Sequence, residues 1–245
     1  MSAEPTIVAT STGFVRGRRV MRAFSPVVHH AVDLSGATGT PKVTYVGTAL
    51  GDWPDTAAHI SAAGRDAGFD VRHLALFPMP NVDDLEELVM TSDLVWVGGG
   101  SVANLLALWR LHGLDSVFEK AWNAGVVLAG VSAGSICWHK GGTTDSFGPD
   151  LDPITNGLGF LPFDNGVHYD NEARRRPLVH ELVADGTLGT TYCTDDGVGL
   201  VYHGTTLTEA ITDIEGKGAY VVRAEDGRAI EERIEPRFLA GPKHR

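Results

Sequence analysis

The run Val126-Val127-Leu128-Ala129-Gly130-Val131-Ser132-Ala133-Gly134-Ser135-Ile136-Cys137-Trp138 constrains what this chain can fold into more than any other stretch. An apolar run that closes in Gly-x-Ser-x-Gly and continues as a short amphipathic piece reads as a buried parallel strand turning sharply into a helix. Gly130 and Gly134 permit a turn too tight for a Cβ. Such a step lifts one side chain, here Ser132, into a cleft at the carboxyl edge of a sheet. Its hydroxyl then sits at a helix N-terminus, where the N–H groups of Ala133 and its neighbours can receive negative charge. A Gly/Ala/Ser turn also serves close strand–helix packing without any chemistry, so the rest of the chain has to decide between the two.

Ahead of this stretch, strand-like and helix-like segments alternate. Thr6 to Thr10, Lys42 to Gly47, Val71 to Phe77 and Leu94 to Val97 have the apolar, β-branched character of strands. Between them, Val27 to Leu34 behind Ser25-Pro26, Asp55 to Ala67 closed by Gly68, Val82 to Val89 capped by Asn81, Val102 to His112 and Asp115 to Ala124 have helical patterns and end signals. The alternation predicts βαβ units: an α/β fold with a mostly parallel central sheet covered on both faces. Beyond Trp138, Lys140 to Asn165 is rich in Gly, Pro, Asp and Thr and is expected to be a long loop over the strand ends, interrupted by a short apolar strand from Leu158 to Phe163. Arg176-Pro177 to Ala184 reads as a helix and Thr190 to Arg237 as short antiparallel strands, with a polar tail after Gly241.

A chain of 245 residues with 43% hydrophobic content is expected to form a single domain, 1–245, around one large core. Its formal net charge of −11 disfavours a nucleic-acid or anionic-membrane surface. Two cysteines, Cys137 and Cys193, make no disulfide framework, no charged-then-apolar leader opens the sequence, and no apolar stretch is long enough to span a bilayer. The expectation is a cytoplasmic protein with no membrane or nucleic-acid partner, and the sequence leaves a homodimer open. Gly98 to Ser101 lacks the Lys-Ser/Thr ending of a phosphate loop, and His and Asp residues do not fall at zinc spacing, so neither a cofactor nor a metal is expected.

A serine nucleophile needs a base, and the base a carboxylate to orient it. His168, in a loop after the Leu158–Phe163 strand, is the histidine best placed for the task, while His139 lies on the segment leading away from the turn. For the carboxylate, Asp145 in Thr143-Thr144-Asp145 stands first, with Glu172 and Asp196 in reserve, although an acid in a Gly-rich surface loop is usually just solvated. Arg174-Arg175-Arg176 crowd the positive end of a helix opened by Pro177, where each is unfavourable by about 0.3–1 kcal/mol. Either a bound anion relieves that repulsion or Asp170, Glu172 and Glu181 neutralise it.

Taken together and in order, Gly98-Gly99-Gly100, Val131-Ser132-Ala133-Gly134, Thr143-Thr144-Asp145 and Val167-His168-Tyr169 resemble the peptidase E and cyanophycinase family of serine peptidases, from Ile7 to about Val222. The resemblance implies a fold similar to class I glutamine amidotransferases, with Ser132 as nucleophile, His168 as base and Asp145 as the third member. It further implies oxyanion-hole amides from Gly100 and Ala133, and a small peptide substrate whose acidic N-terminal residue is held near position 101 and by Arg174 or Arg175. Aspartyl-specific members have Asn after the triple glycine, where this chain has Ser101. The reading that follows is a serine exopeptidase acting on short peptides. Two rivals remain: an α/β-hydrolase esterase, whose acid and histidine normally come later in the chain, and a non-catalytic amidotransferase-like binding protein.

Overall fold

The computed structural model describes residues 4–241, so the tail expected after Gly241 lies outside them. In chain order the first half comprises β1 (Thr6–Thr10), β2 (Phe14–Val15), β3 (Ala23–Phe24), α1 (Pro26–Leu34), β4 (Lys42–Val46), α2 (Pro54–Ala67), β5 (Asp70–Leu74), α3 (Leu85–Met90), β6 (Leu94–Val97), α4 (Val102–His112) and α5 (Leu114–Ala124). The second half comprises β7 (Val127–Val131), α6 (Ala133–Ile136), β8 (His139–Thr144), β9 (Asp152–Ile154), β10 (Leu161–Gly166), α7 (Arg175–Ala184), β11 (Thr191–Thr194), β12 (Val198–His203), β13 (Thr206–Thr212), β14 (Ala219–Glu225), β15 (Arg228–Ile234) and β16 (Arg237–Phe238).

The larger sheet has the order β16-β13-β12-β1-β7-β6-β4-β5. From β1 through β7, β6 and β4 to β5 every pairing is parallel, as the alternating sequence predicts, and β12 and β13 continue it antiparallel on the far side of β1. Side chains alternate across this sheet, so Ile7, Val95 and Leu128 pack towards α4 and α5 while Val8, Leu94 and Val127 pack towards α1 and α2. Both faces are therefore covered, which is what the near-continuous apolar strands require. The helix expected to start behind Asn81 begins later: Asp84 caps α3 by accepting from Glu87 N at 2.8 Å. Asn81 instead holds the preceding turn, accepting from Ala75 N and donating to the His73 carbonyl.

The stretch expected to be a long loop is the largest departure. Residues 140 to 165 supply most of β8, β9 and β10, the start of a second sheet of order β15-β14-β11-β10-β8-β9. Glycine is needed in β8 for close approach: a Cβ on Gly141 would stand 2.1 Å from the Ile154 carbonyl oxygen and one on Gly142 2.2 Å from that of Asn165. The C-terminal segment is only partly the expected antiparallel meander, because β11 runs parallel to β10 and β12 and β13 join the larger sheet. One apolar cluster joins the two sheets, containing Leu128 and Tyr202 of the larger with Ile154, Leu161 and Ala219 of the smaller. Among the described residues no helix is long and apolar enough to cross a membrane.

Candidate active site

The site is assembled from strand ends. Gly100 follows β6, Ser132 follows β7, Asp145 follows β8, His168 comes just after β10, and Asp196 lies in the turn that carries the chain from β11 in one sheet to β12 in the other.

Ser132 has φ 56° and ψ −113°, a backbone conformation that L-residues adopt only under constraint. The constraint is local hydrogen bonding on both sides. Its N–H donates to the Thr10 carbonyl at 3.0 Å, and its carbonyl accepts from Ser135 N and Ile136 N to start α6. Gly134 lets α6 lie against the neighbouring strand: a Cβ there would stand 2.4 Å from the Val97 carbonyl oxygen. Ser135 donates its hydroxyl hydrogen to Asn165 Oδ1 at 2.8 Å, and Asn165 Nδ2 donates to the Tyr192 carbonyl at 2.9 Å, tying the turn to β10 and β11. Cys137 is fully buried, as a packed small apolar residue should be.

His168 also has positive φ, 54°, and its N–H donates to Ser11 Oγ at 2.9 Å. Its Nδ1 stands 2.6 Å from Asp196 Oδ1. The carboxylate against the imidazole is thus Asp196, and the assignment of that place to Asp145 is corrected. The other Asp196 oxygen accepts from Asn171 Nδ2 at 3.0 Å, and the Asp196 N–H donates to Asp170 Oδ1 at 2.9 Å. Burial raises the Asp170 carboxyl, but its ion pair with Lys217 and the Asp196 amide outweigh this and hold it below its ordinary value. A charged Asp170 therefore anchors the loop that carries Asp196. With Nδ1 donating to a carboxylate, Nε2 is left as the basic nitrogen of the ring. His168 borders the same cleft of about 310 Å³ as Ser132, lined also by Gly100, Ser101, Asp145, Ser146, Glu172 and Arg175. Among the described residues no hydrogen bond joins Ser132 Oγ to the His168 ring.

The remaining expected residues divide. Among the described residues nothing accepts from the backbone N–H of Gly100 or Ala133, so both donors are free. Ser101 lines the cleft, but its hydroxyl accepts from Asn104 N at 3.2 Å and so caps α4. Asp145 is exposed on the cleft, and its carboxylate has neither a hydrogen bond nor an ion pair among the described residues. Arg175 is buried, with its guanidinium on Thr143 and on Glu172 Oε2 at 2.7 Å. Glu172, held there, is not the partner of His168. Arg174 does not line the cleft as expected, because its guanidinium is drawn outward to Asp150 and the Pro149 carbonyl. Arg176 lies 4.5 Å from the ring centres of both Tyr169 and Tyr220 and pairs with Glu231. The cluster is thus neutralised by Asp150, Glu172 and Glu231; of the acids expected in that role only Glu172 serves. Asn171 and Ser11, which hold the acid and the histidine, carry no sequence signal. Ser11 lies 157 positions from the backbone it supports.

A family model described as peptidase family S51 matches residues 8–210. The chain is 37% identical over 199 residues to the uncharacterized peptidase YgaJ of Bacillus subtilis (strain 168), covering 81% of this chain and 85% of that one. Its fold is similar to that of a peptidase from an acI-B1 Actinobacterium, with TM-score 0.66 and 15% identity over 95% of each chain. It is also similar to a protein designated peptidase E from Listeria monocytogenes EGD-e, with TM-score 0.56 and 16% identity over 95% of this chain and 100% of that one.

Proposed function

Because the chain belongs to peptidase family S51 and is a serine-type peptidase, we propose that it hydrolyses short peptides through an acyl-enzyme on Ser132, with His168 as general base and Asp196 as the carboxylate that orients it. The observation that carries this reading is the 2.6 Å contact between His168 Nδ1 and Asp196, made at the edge of the cleft that holds Ser132. In the first half-reaction Ser132 Oγ attacks the peptide carbonyl and passes its proton to His168 Nε2. The imidazolium so formed faces Asp196 across a hydrogen bond, and the charge developing on the carbonyl oxygen is taken by the N–H groups of Gly100 and Ala133. One such donor is typically worth about 2.7–4 kcal/mol in the transition state. His168 then protonates the leaving amine; in the second half-reaction the same nitrogen deprotonates a water that attacks the acyl carbon, and it returns that proton to Ser132 Oγ as the ester bond breaks and the acid leaves.

A cleft of about 310 Å³ suits a dipeptide or tripeptide better than folded protein. A receptor for an acidic N-terminal residue would have to be built on Arg175 alone, and that guanidinium already serves Thr143 and Glu172. We therefore read the substrate as a short peptide with no requirement for Asp. The test is a dipeptide panel varying the N-terminal residue, run on wild type, Ser132→Ala, His168→Ala and the double variant. Each single substitution should abolish turnover and the double should be little worse, since such residues act as a unit. Turnover by Ser132→Ala above background, in protein of controlled purity, would place the chemistry elsewhere.

A further inference from the structure

Two of the turns that carry the chain between its sheets meet at the acid that holds His168. Residues 195–197 lead from β11 to β12, and residues 213–218 lead from β13 to β14. The turns are bonded to each other: Asp195 N donates to the Gly218 carbonyl at 3.1 Å, and Gly218 N donates in return to Asp195 Oδ2 at 2.9 Å. The join gathers three carboxylates. Asp196 stands against the ring, Asp195 precedes it in the chain, and Asp170 accepts from the Asp196 N–H at 2.9 Å. Among the described residues, the one ammonium or guanidinium bonded to any of the three is that of Lys217, on Asp170 Oδ2. That hydrogen bond raises the Lys217 ammonium above its ordinary value; burial opposes the rise, and the charges of Asp170, Asp195 and Asp196 add to it.

The other charges around the imidazole are already matched or point elsewhere. On the cleft side are Asp145, Glu172 and Arg175, the last two paired with each other. Beyond Tyr169, whose hydroxyl donates to Glu231, Arg176 and His180 are held on that same carboxylate. Asp213, raised by burial, lies beside Gly197, and Arg233 is paired with Glu235. Every carboxylate near an imidazole favours its protonated form, whereas a general base has to be unprotonated to accept the hydrogen of Ser132. The acids that orient His168 thus also work against it, and a cation bonded among them opposes that effect. We propose that Lys217 is a positioning residue for His168: it holds Asp170, and through it the turn of Asp196, while its charge offsets the pull of the three acids on a proton at the ring. This rests on the reading of His168 as general base.

The experiment measures the pH profile of kcat/KM, with the dipeptide that wild type cleaves fastest, for Lys217→Met, Asp170→Asn and the double variant. Lys217→Met removes the cation and should move the acidic limb to higher pH by about half a unit, the effect of one charge several Å away in a largely aqueous medium. Asp170→Asn removes a carboxylate but keeps an oxygen for the Asp196 N–H, and should move the limb to lower pH. The double variant should return close to wild type, and Lys217→Arg, which keeps the charge, should restore the limb. The Lys217 side chain is 32% exposed, so the displacements should also shrink in about 1 M salt. Unfolding midpoints check that the variants fold, and Lys217→Gln, with the same expected displacement, replaces Lys217→Met if methionine unsettles the turn. A merely structural role would lower kcat in both single variants without moving their limbs in opposite directions, and that result would overturn the assignment. His168→Ala separates the two levels. If it loses turnover while the limbs stay together, only the role of Lys217 fails; if it keeps turnover, the base itself is misassigned.

Discussion

Ser132 holds a strained backbone, φ 56° and ψ −113°, in which a Cβ is crowded by its own peptide groups. Such residues cost about 1–3 kcal/mol and persist where the surroundings over-determine them, here through the Thr10, Ser135 and Ile136 hydrogen bonds. A stability prediction follows that is independent of activity. Ser132→Gly should be more stable than Ser132→Ala by roughly 1 kcal/mol, because glycine relieves the strain and alanine keeps it, less the extra entropy that glycine loses on folding. Both should be inactive, and urea unfolding of the pair would read the difference. At this scale the sharp turn at Ser132 and the loop of His168 were legible because a motif surrounds each. Which acid stands against the imidazole was not, and Asp196, held only in reserve, is the one hydrogen-bonded to it. Asp145 and Asp196 both sit in polar turns, and what separates them is a hydrogen bond closed between positions 28 apart. Asp196→Asn should therefore slow hydrolysis of an N-acetylated dipeptide more than Asp145→Asn does, since only the former leaves the imidazole without its anion.

Among the elements, the parallel block was legible because its strands are buried on both faces and its helices carry end signals, as at Gly68 and Gly113, both in the left-handed conformation. β8 was not, and β10 only in its first half, where the expected Leu158–Phe163 strand overlaps it. Gly141-Gly142-Thr143-Thr144 shows no alternation of apolar and polar residues, and it forms a strand because backbone from β9 and β10 closes on it too tightly for side chains. Elements that pack backbone against backbone leave a signature of small residues, and in sequence that signature is shared with loops. The same closeness couples the nucleophile's turn to the strand leading to His168. Ser135, buried in α6, donates to Asn165 of β10, and Asn165 in turn holds β11. Ser135→Ala would strand Asn165 Oδ1 in the interior without a donor. The expected cost is about 1–3 kcal/mol of stability, the desolvation penalty of an unpaired buried acceptor. Asn165→Leu at the same contact, by contrast, would lose the Tyr192 bond as well and should cost more, so denaturation midpoints of the two variants rank the links.

Over the whole molecule, the two sheets meet in one core, and a titratable side chain is built into the junction. His139 opens β8 of the smaller sheet, its ring stands edge-on to Tyr202 of the larger at 5.9 Å, and it is fully buried. Nδ1 lies 2.9 Å from the Ser135 carbonyl, and Nε2 has no partner among the described residues. Burial pushes its pKa down to about 4 from an ordinary 6.5, the Ser135 carbonyl only partly opposing the shift. The folded state thus keeps the imidazole neutral where the unfolded chain would protonate it. Stability from this residue is complete above pH 6.5 and is lost as pH falls towards 4, because the unfolded state binds the extra proton across that window. The full loss is on the order of 3 kcal/mol, taken from the size of the shift. His139→Phe fills similar space and cannot titrate. It should be less stable than wild type at pH 7, through the lost Ser135 hydrogen bond, but the gap should narrow or invert on acidification. Buried acids such as Asp164 and Asp195, raised by burial, respond in the opposite sense but are common to both proteins and drop out of the comparison. Unfolding free energies of the two proteins that fall in parallel from pH 7 to pH 4 would show that the junction of the sheets is not where acid acts.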